Sequence, residues 1–381
     1  MAYLVFKDGT TFGGEMFGEW EKRSAALTAR EVVFNTSQSG YQEMVTDLSY
    51  AGQILVLTQP QIGNYGWHHE ENEADKTRLQ GLIVRELSQG EGSLHAEGSL
   101  EEYCQQHDVQ GLKDVDTRAL TRYLREFGTL PGVLAETKEA GLEFWRNQRE
   151  ITADFEDSNS DSNDLGDMRD HWVYRSTVKE VYEIPGSGPL IAVLDFGVKR
   201  NILRSLQQRG FRVMVFPAGS TAEEILWQRP SGLVLSNGPG DPSELPKGIA
   251  TVRQLYTKLP VLGICLGHQL LALAAGGETY KLPYGHRGGN HPVIDLRTGK
   301  ATMTSQNHGY AVNDASLQGS GFEVTMSNLN DGTVEGMEHI TYPVISVQFH
   351  PEGAPGPEEN AEIFNLFKDM VEGSLARKGR S

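Results

Sequence analysis

Residues 259–273 constrain the fold of this chain more than any other stretch. An apolar run, Leu259-Pro260-Val261-Leu262, leads into Gly263-Ile264-Cys265-Leu266-Gly267 and then into a helical pattern, His268-Gln269-Leu270-Leu271-Ala272-Leu273. A cysteine between two glycines at a strand-to-helix turn is the thiol form of the G-x-S-x-G elbow. The glycines permit a turn too tight for side chains, which holds the sulfur out at the edge of a sheet. The helix that follows aims free N–H groups and its positive end at that sulfur, favouring thiolate over thiol. A deprotonated, exposed sulfur is a nucleophile near neutral pH, so the pattern points to acyl transfer.

The surrounding pattern supplies the sheet that such an elbow needs. Leu190 to Leu194 is a continuous apolar strand expected to be buried on both faces. Val198, Ile202, Leu203 and Leu206 then recur at helical spacing until Gly210. A strand at Arg212 to Phe216, a helix around Thr221 to Trp227 and strands at Gly232 to Leu235, Val261 to Ile264 and Val344 to Phe349 continue the alternation. Alternation of this kind implies a doubly wound α/β sheet with ligands at the carboxyl ends of its strands. Cys265 lies at such an end.

The first half reads as mixed α/β. Tyr3 to Phe6 and Thr11-Phe12 flank an Asp8-Gly9 hairpin turn. Glu31 to Asn35, Gln53 to Thr58 and Gly81 to Arg85 are further strands, and Asp116 to Glu126 is a helix stopped near Gly128. Between the halves, Asp154 to Asp164 is polar and acidic, and Pro185-Gly186-Ser187-Gly188-Pro189 marks a boundary. The acidic stretch reads as a solvated loop, with a docking site as the alternative. The expected organisation is residues 1–150 as one domain, 151–187 as a linker and 188–381 as the sheet domain.

A formal charge of −17 argues against nucleic acid and anionic membrane as main partners and reads first as a means of solubility. Two cysteines, Cys104 and Cys265, are too few for a disulfide framework and fit a reducing cytoplasm. Cys104 lies in a polar helical stretch without an elbow and reads as structural. The N-terminus reads as a strand entering a turn, not a signal peptide, and no apolar run reaches membrane-spanning length.

A thiolate needs a base, and the base needs a group that holds its tautomer. Val347-Gln348-Phe349 runs into His350-Pro351-Glu352, placing His350 at a strand end with Glu352 able to reach back to its far nitrogen. Ser236-Asn237-Gly238-Pro239-Gly240-Asp241-Pro242 follows another strand. Alone it is a tight turn; beside an elbow it reads as half of an oxyanion hole, with the N–H of Leu266 as the other half. No G-x-x-x-x-G-K-[ST] loop or dinucleotide fingerprint occurs, so ATP activation by this chain is not expected. His68, His69, His286, His291 and His308 are scattered along the sequence, and no metal site is expected from them.

Gly-Pro-Gly-Asp-Pro (238–242), Gly-Ile-Cys-Leu-Gly-His-Gln (263–269) and His-Pro-Glu (350–352), in this order, resemble a class I glutamine amidotransferase domain. Residues 33–43 (VFNTSQSGYQE), 61–66 (QIGNYG), 115–121 (VDTRALT), 195–199 (DFGVK), 288–292 (GGNHP) and 306–310 (QNHGY) extend the likeness. Together they resemble the carbamoyl-phosphate synthase small-subunit family along nearly the whole chain, the acidic stretch excepted.

The resemblance implies a glutaminase. Cys265 would attack the side-chain amide of L-glutamine, His350 would shuttle protons, and Glu352 would orient it. Gly238 and Leu266 would hold the oxyanion, with Ser37, Gly240, Gln269, Asn307, Gly309 and Tyr310 around the substrate. Ser37 comes from the first half, so the resemblance implies a site between domains. It also implies a large-subunit partner, in a heterodimer or an assembly of heterodimers, that uses ATP, Mg and bicarbonate to make carbamoyl phosphate for pyrimidine and arginine biosynthesis. No cofactor is implied for this chain. The alternatives are a stand-alone γ-glutamyl hydrolase or cysteine peptidase using the same three residues, and a silent regulatory subunit.

Overall fold

The computed structural model describes residues 1–22, 27–88, 93–155 and 171–378. Within it the chain forms two compact units, Met1–Thr46 with Tyr50–Asp170, and Asp47–Ser49 with His171–Ser381. No helix among the described residues is long and apolar enough to cross a membrane.

The first unit is built on β1 (Ala2–Phe6), β2 (Thr11–Gly18), β3 (Arg30–Asn35), β4 (Ile54–Leu57), β5 (Gln61–Ile62), β6 (Gly81–Ile83), β7 (Glu86–Leu87), β8 (Gln110–Lys113) and β9 (Leu130–Ala135). Among the described residues, seven of these close into a barrel in the order β1-β2-β8-β6-β4-β3-β9, while β5 pairs with β7. The Asp8-Gly9 turn joins β1 to β2 as the sequence implies, with Gly9 at φ +92° and the Asp8 carboxylate accepting from the Thr10 N–H at 2.9 Å. Successive residues of a strand face opposite ways. Accordingly Val32, Phe34, Ile54 and Val56 enter one apolar cluster, and Val33, Leu55 and Leu57 another. The helix Thr117–Phe127 starts at an Asp116 cap, ends at Gly128 (φ +89°), and sends Leu120 and Leu124 into the first cluster. Barrel closure was not visible in the sequence, because it depends on β1 pairing with β9 across most of the unit.

The second unit contains β10 (Tyr182–Ile184), β11 (Leu190–Asp195), β12 (Arg212–Pro217), β13 (Gly232–Leu235), β14 (Val261–Ile264), β15 (Thr279–Asp295), β16 (Ala301–Val312), β17 (Phe322–Asn328), β18 (Val334–His339) and β19 (Val344–Val347). They form one sheet in the order β10-β12-β11-β13-β14-β19-β18-β17-β15-β16. The stretch β12-β11-β13-β14-β19 is parallel throughout. Its strands are apolar on both sides because helices cover both faces. Leu194, Leu233 and Leu235 pack with Ile225, Val252 and Leu270 on one face. Val193, Val234 and Ile264 pack with Ile202, Leu206, Phe364 and Phe367 on the other. Burying each such side chain contributes about 1.5–3 kcal/mol of transfer free energy. This parallel block is the wound α/β sheet that the alternation implied. Antiparallel strands extend it, above all the long β15–β16 pair, whose register shifts between Lys281/His286 and Gly288/His291.

The expected linker, 151–187, carries regular structure at both ends. The helix Lys138–Phe155 runs through its start, so Asp154 and Phe155 are helical, while residues 156–164 of the acidic stretch lie outside the described residues. At its other end the helix Trp172–Ser176 sends Val173 into the core, and β10 pairs antiparallel with β12. The polar composition concealed both elements, since each anchors through only a few apolar contacts.

Candidate active site

The elbow forms because two glycines let backbones approach closely. A Cβ on Gly263 would lie 2.6 Å from Leu271 Cδ1 and 2.9 Å from the Gly267 carbonyl, and one on Gly267 would lie 2.3 Å from the Leu235 carbonyl. The chain thus turns from β14 into the helix Leu266–Ala274 with Cys265 as its N-cap, at φ 53° and ψ −103°. For a residue with a side chain that backbone costs on the order of 1–3 kcal/mol, an expense that persists where surrounding packing fixes it. The Cys265 N–H donates to the Val347 carbonyl at 2.9 Å, tying the elbow to β19.

The sulfur is not exposed, contrary to the expectation from the elbow alone. Cys265 is 2% accessible, and its Sγ lies 3.6 Å from the Asn307 carbonyl. The elbow does present the sulfur at the sheet's carboxyl edge, but β16 passes over that edge and covers it.

His350 and Glu352 meet as the local sequence implied. His350 Nδ1 is 2.7 Å from Glu352 Oε1, and the His350 N–H donates to the Ser305 carbonyl at 2.8 Å. The other ring nitrogen, Nε2, is buried and, apart from the neighbouring Cys265, has no hydrogen-bond partner. Burial pulls the His350 pKa down and Lys199 opposes protonation too, but the Glu352 carboxylate, helped by the neighbouring Cys265, outweighs both and holds it well above the ordinary histidine range. Burial pushes the Glu352 pKa up, yet His350 and Lys199 bring it below the usual carboxylate value. Lys199 Nζ lies 3.2 Å from Glu352 Oε1 and donates to the Gly353 carbonyl at 3.0 Å, so one carboxylate oxygen serves an imidazole and an ammonium.

The loop after β13 reaches the same edge. A Cβ on Gly238 would lie 2.5 Å from the Phe196 carbonyl and 2.7 Å from Leu266 Cδ2, so a side chain there would collide with its surroundings and with Leu266 in particular. The Leu266 N–H opens its helix and has no partner from the helix itself. Gly240 sits at φ +89°, a conformation that favours glycine, beside the ring of His171. Asn237 anchors the loop by accepting the Lys199 N–H at 3.0 Å and donating to Ser49 Oγ at 2.9 Å.

β16 and the elbow helix bring the remaining residues together. Gln269 Nε2 donates to the Tyr310 carbonyl at 2.7 Å and to Gln348 Oε1 at 3.0 Å. Asn307 Nδ2 donates to Asp47 Oδ2 at 2.8 Å. Gly309 lies on β16 between them, with a Cβ there 3.4 Å from Arg287 Nη2. The second unit therefore gathers Cys265, His350, Glu352, Gly238, Gly240, Leu266, Gln269, Asn307, Gly309 and Tyr310. Ser37 lies in the first unit after β3, its N–H donating to Asn35 Oδ1 at 2.7 Å.

Residues 192–370 match the glutamine amidotransferase class-I family. Residues 4–134 match the carbamoyl-phosphate synthase small chain, CPSase domain. The carbamoyl phosphate synthase small chain of Oceanobacillus iheyensis is 42% identical over 99% of this chain and 97% of its own length. Those of Bacillus caldolyticus (44% identity, 97% of this chain, 96% of the relative) and Symbiobacterium thermophilum (47%, 97% and 98%) are similar to the same extent. The chain belongs to the carbamoyl phosphate synthase small chain family.

In this member of the family, three contributors to the site escaped the reading of the sequence. Lys199 was visible only as the end of 195–199, where the buried Asp195 carboxylate accepts the Gly197, Val198 and Val178 N–H groups at 2.7–2.8 Å and so shapes the loop that delivers it. Asp47 carried no signal, because it lies in the first half of the sequence yet packs with the second unit. Three of the five scattered histidines converge in space: the His286 ring lies 5.0 Å from those of His291 and His308. Strand pairing of β15 with β16 causes this convergence, which no local spacing reveals.

Proposed function

We propose that this chain is a glutaminase that hydrolyses L-glutamine and hands the ammonia to a separate synthetase subunit. The observation that carries the reading is the elbow cysteine beside an imidazole whose Nδ1 is taken by Glu352 and whose Nε2 is buried with no other hydrogen-bond partner. In this mechanism the Cys265 thiolate attacks the glutamine side-chain carbon, its proton having passed to His350. The N–H groups of Gly238 and Leu266 receive the oxyanion, a contribution of about 3 kcal/mol per donor to the barrier. The C–N bond then breaks as His350 protonates the leaving nitrogen, giving ammonia and a thioester. Water adds to the thioester, giving a proton back to His350, and glutamate leaves as the sulfur is regenerated. Glu352 keeps the imidazole in the required tautomer, and Lys199 keeps Glu352 ionised. Gln269, Asn307, Gly240, Gly309 and Tyr310 surround the substrate.

In this reading the partner is the large synthetase subunit, which uses Mg and consumes ATP to combine ammonia with bicarbonate, and the product feeds pyrimidine and arginine biosynthesis in the cytoplasm. This chain itself uses no cofactor. A stand-alone γ-glutamyl hydrolase is not favoured, because the family likeness spans the first unit as well as the second. The test is Cys265→Ser in the assembled complex. It removes glutamine-dependent carbamoyl phosphate formation by at least about 10³-fold and leaves ammonia-dependent formation intact. Loss of both activities would overturn the role of ammonia supplier.

A further inference from the structure

β16 covers the elbow with backbone: the Asn307 carbonyl lies against Cys265 Sγ, and the Tyr310 carbonyl receives the Gln269 amide. A chain of buried polar side chains that starts on the same strand holds the Tyr310 carbonyl. His308 Nδ1 is 2.7 Å from the Tyr310 carbonyl and Nε2 is 2.8 Å from Gln306 Oε1. Gln306 Nε2 donates to Thr304 Oγ1 at 3.0 Å and to Glu335 Oε2 at 2.8 Å. Asn328 Nδ2 fills the other oxygen of Glu335 at 2.9 Å. The Glu335 carbonyl accepts the Gln348 N–H at 2.9 Å, two residues before His350.

His308 sets one ring nitrogen against each of two oxygens, and burial holds its pKa well below the ordinary histidine value. His286 faces Glu335 at 3.7 Å and Asp331 at 2.8 Å, and Arg287 and His291 adjoin from β15. Ligand atoms of His286, His308 and Glu335 lie within 4.8 Å of one another, a spacing that also suits a cation. Both oxygens of Glu335 and both nitrogens of His308 are already engaged, which favours the hydrogen-bonded chain.

We propose that Glu335 and Gln306 are positioning residues for glutamine hydrolysis: through His308 they lock the Tyr310 carbonyl on which Gln269 is docked. The proposal rests on the site's being a glutamine site. Its test compares Glu335→Ala, Gln306→Ala and Glu335→Gln in the complex with the synthetase subunit, together with histidine ¹⁵N NMR. Glu335→Ala and Gln306→Ala raise KM for glutamine about tenfold, with kcat and ammonia-dependent synthesis within about twofold of wild type. Glu335→Gln keeps an acceptor for Gln306 and restores KM to within about threefold of wild type. The His308 ring resonances shift in Glu335→Ala. An unchanged KM in Glu335→Ala would overturn the proposal. So would equal loss of glutamine- and ammonia-dependent activity, or stoichiometric zinc bound to the wild type and lost in Glu335→Ala. Absence of Cys265-dependent glutaminase in the wild type would overturn both this and the reading beneath it.

Discussion

Cys104 and Cys265 are both buried, one inside a helix and one capping the start of another, yet their surroundings prepare them for opposite fates. Cys104 sits within the helix Leu100–Gln106, in an apolar cluster with Tyr103, Leu100 and Val109. Burial, seconded by the Glu101 carboxylate, pushes its thiol well above the ordinary cysteine range. Cys265 caps its helix instead of sitting inside it, on backbone at φ 53°, next to an imidazole that a carboxylate keeps protonated. Burial is common to both and so does not mark the nucleophile. Backbone turn, helix end and ionic neighbour do.

That contrast breaks first at the elbow's glycines. Gly267→Ala places a Cβ 2.3 Å from the Leu235 carbonyl, a backbone atom that cannot swing aside. The turn must open, at a cost of about 3 kcal/mol of stability, and Cys265 moves away from His350. A misplacement of about 1 Å lowers the rate about 100-fold, so glutamine turnover falls by that factor or more, measured beside the melting temperature. Turnover within about twofold of wild type would mean that the elbow is not what sets Cys265 apart.

The ionic neighbour is tested by pH. His350 is raised from its ordinary value to about 10, so its contribution to stability is complete below the unfolded pKa of about 6.5 and is lost as pH rises through the folded value. Glu352 is lowered, so its contribution is present above the ordinary carboxylate pKa and is lost as pH falls through the folded one. Glu352→Gln leaves His350 and Lys199 without their shared anion and destabilises by about 3 kcal/mol. The gap in melting temperature between wild type and Glu352→Gln is widest near pH 5–6.5 and narrows toward pH 10. A gap that is constant across that range would show that His350 is not held protonated.

The legibility of the two cysteines followed the range of the interactions around them. The elbow, the His350–Glu352 pair and the capped helix Thr117–Phe127 are each built from residues close in sequence, and each was readable there. The parallel strands were readable because burial on both faces leaves continuous apolar runs. The barrel, the β15–β16 pair, the shielding of Cys265 by Asn307 and the joining of Asp47 to the second unit were not. Each depends on partners tens to hundreds of residues apart, and pairing register leaves little trace in local composition. Gln306 and His308 show the boundary well. Their motif was recognisable, but Glu335, to which Gln306 donates, arrives on β18.

Cys104 supplies the smallest effect and the sharpest control. Removing its sulfur leaves a small gap between Tyr103 and Val109, with no charge or hydrogen-bonding group stranded, because the thiol is a weak donor in an apolar setting. Cys104→Ala should lower stability by about 1–2 kcal/mol and leave glutamine turnover within about twofold of wild type. Iodoacetamide titration of the native protein should modify Cys265 and spare Cys104, and in Cys104→Ala the rate of modification should not change. Labelling of Cys104 at a comparable rate in the folded protein would mean that local opening, and not the chemistry around each sulfur, governs their reactivity. Unchanged stability in Cys104→Ala would show that the cluster closes over the lost atom, and the first unit would then be softer than its fully buried side chains imply.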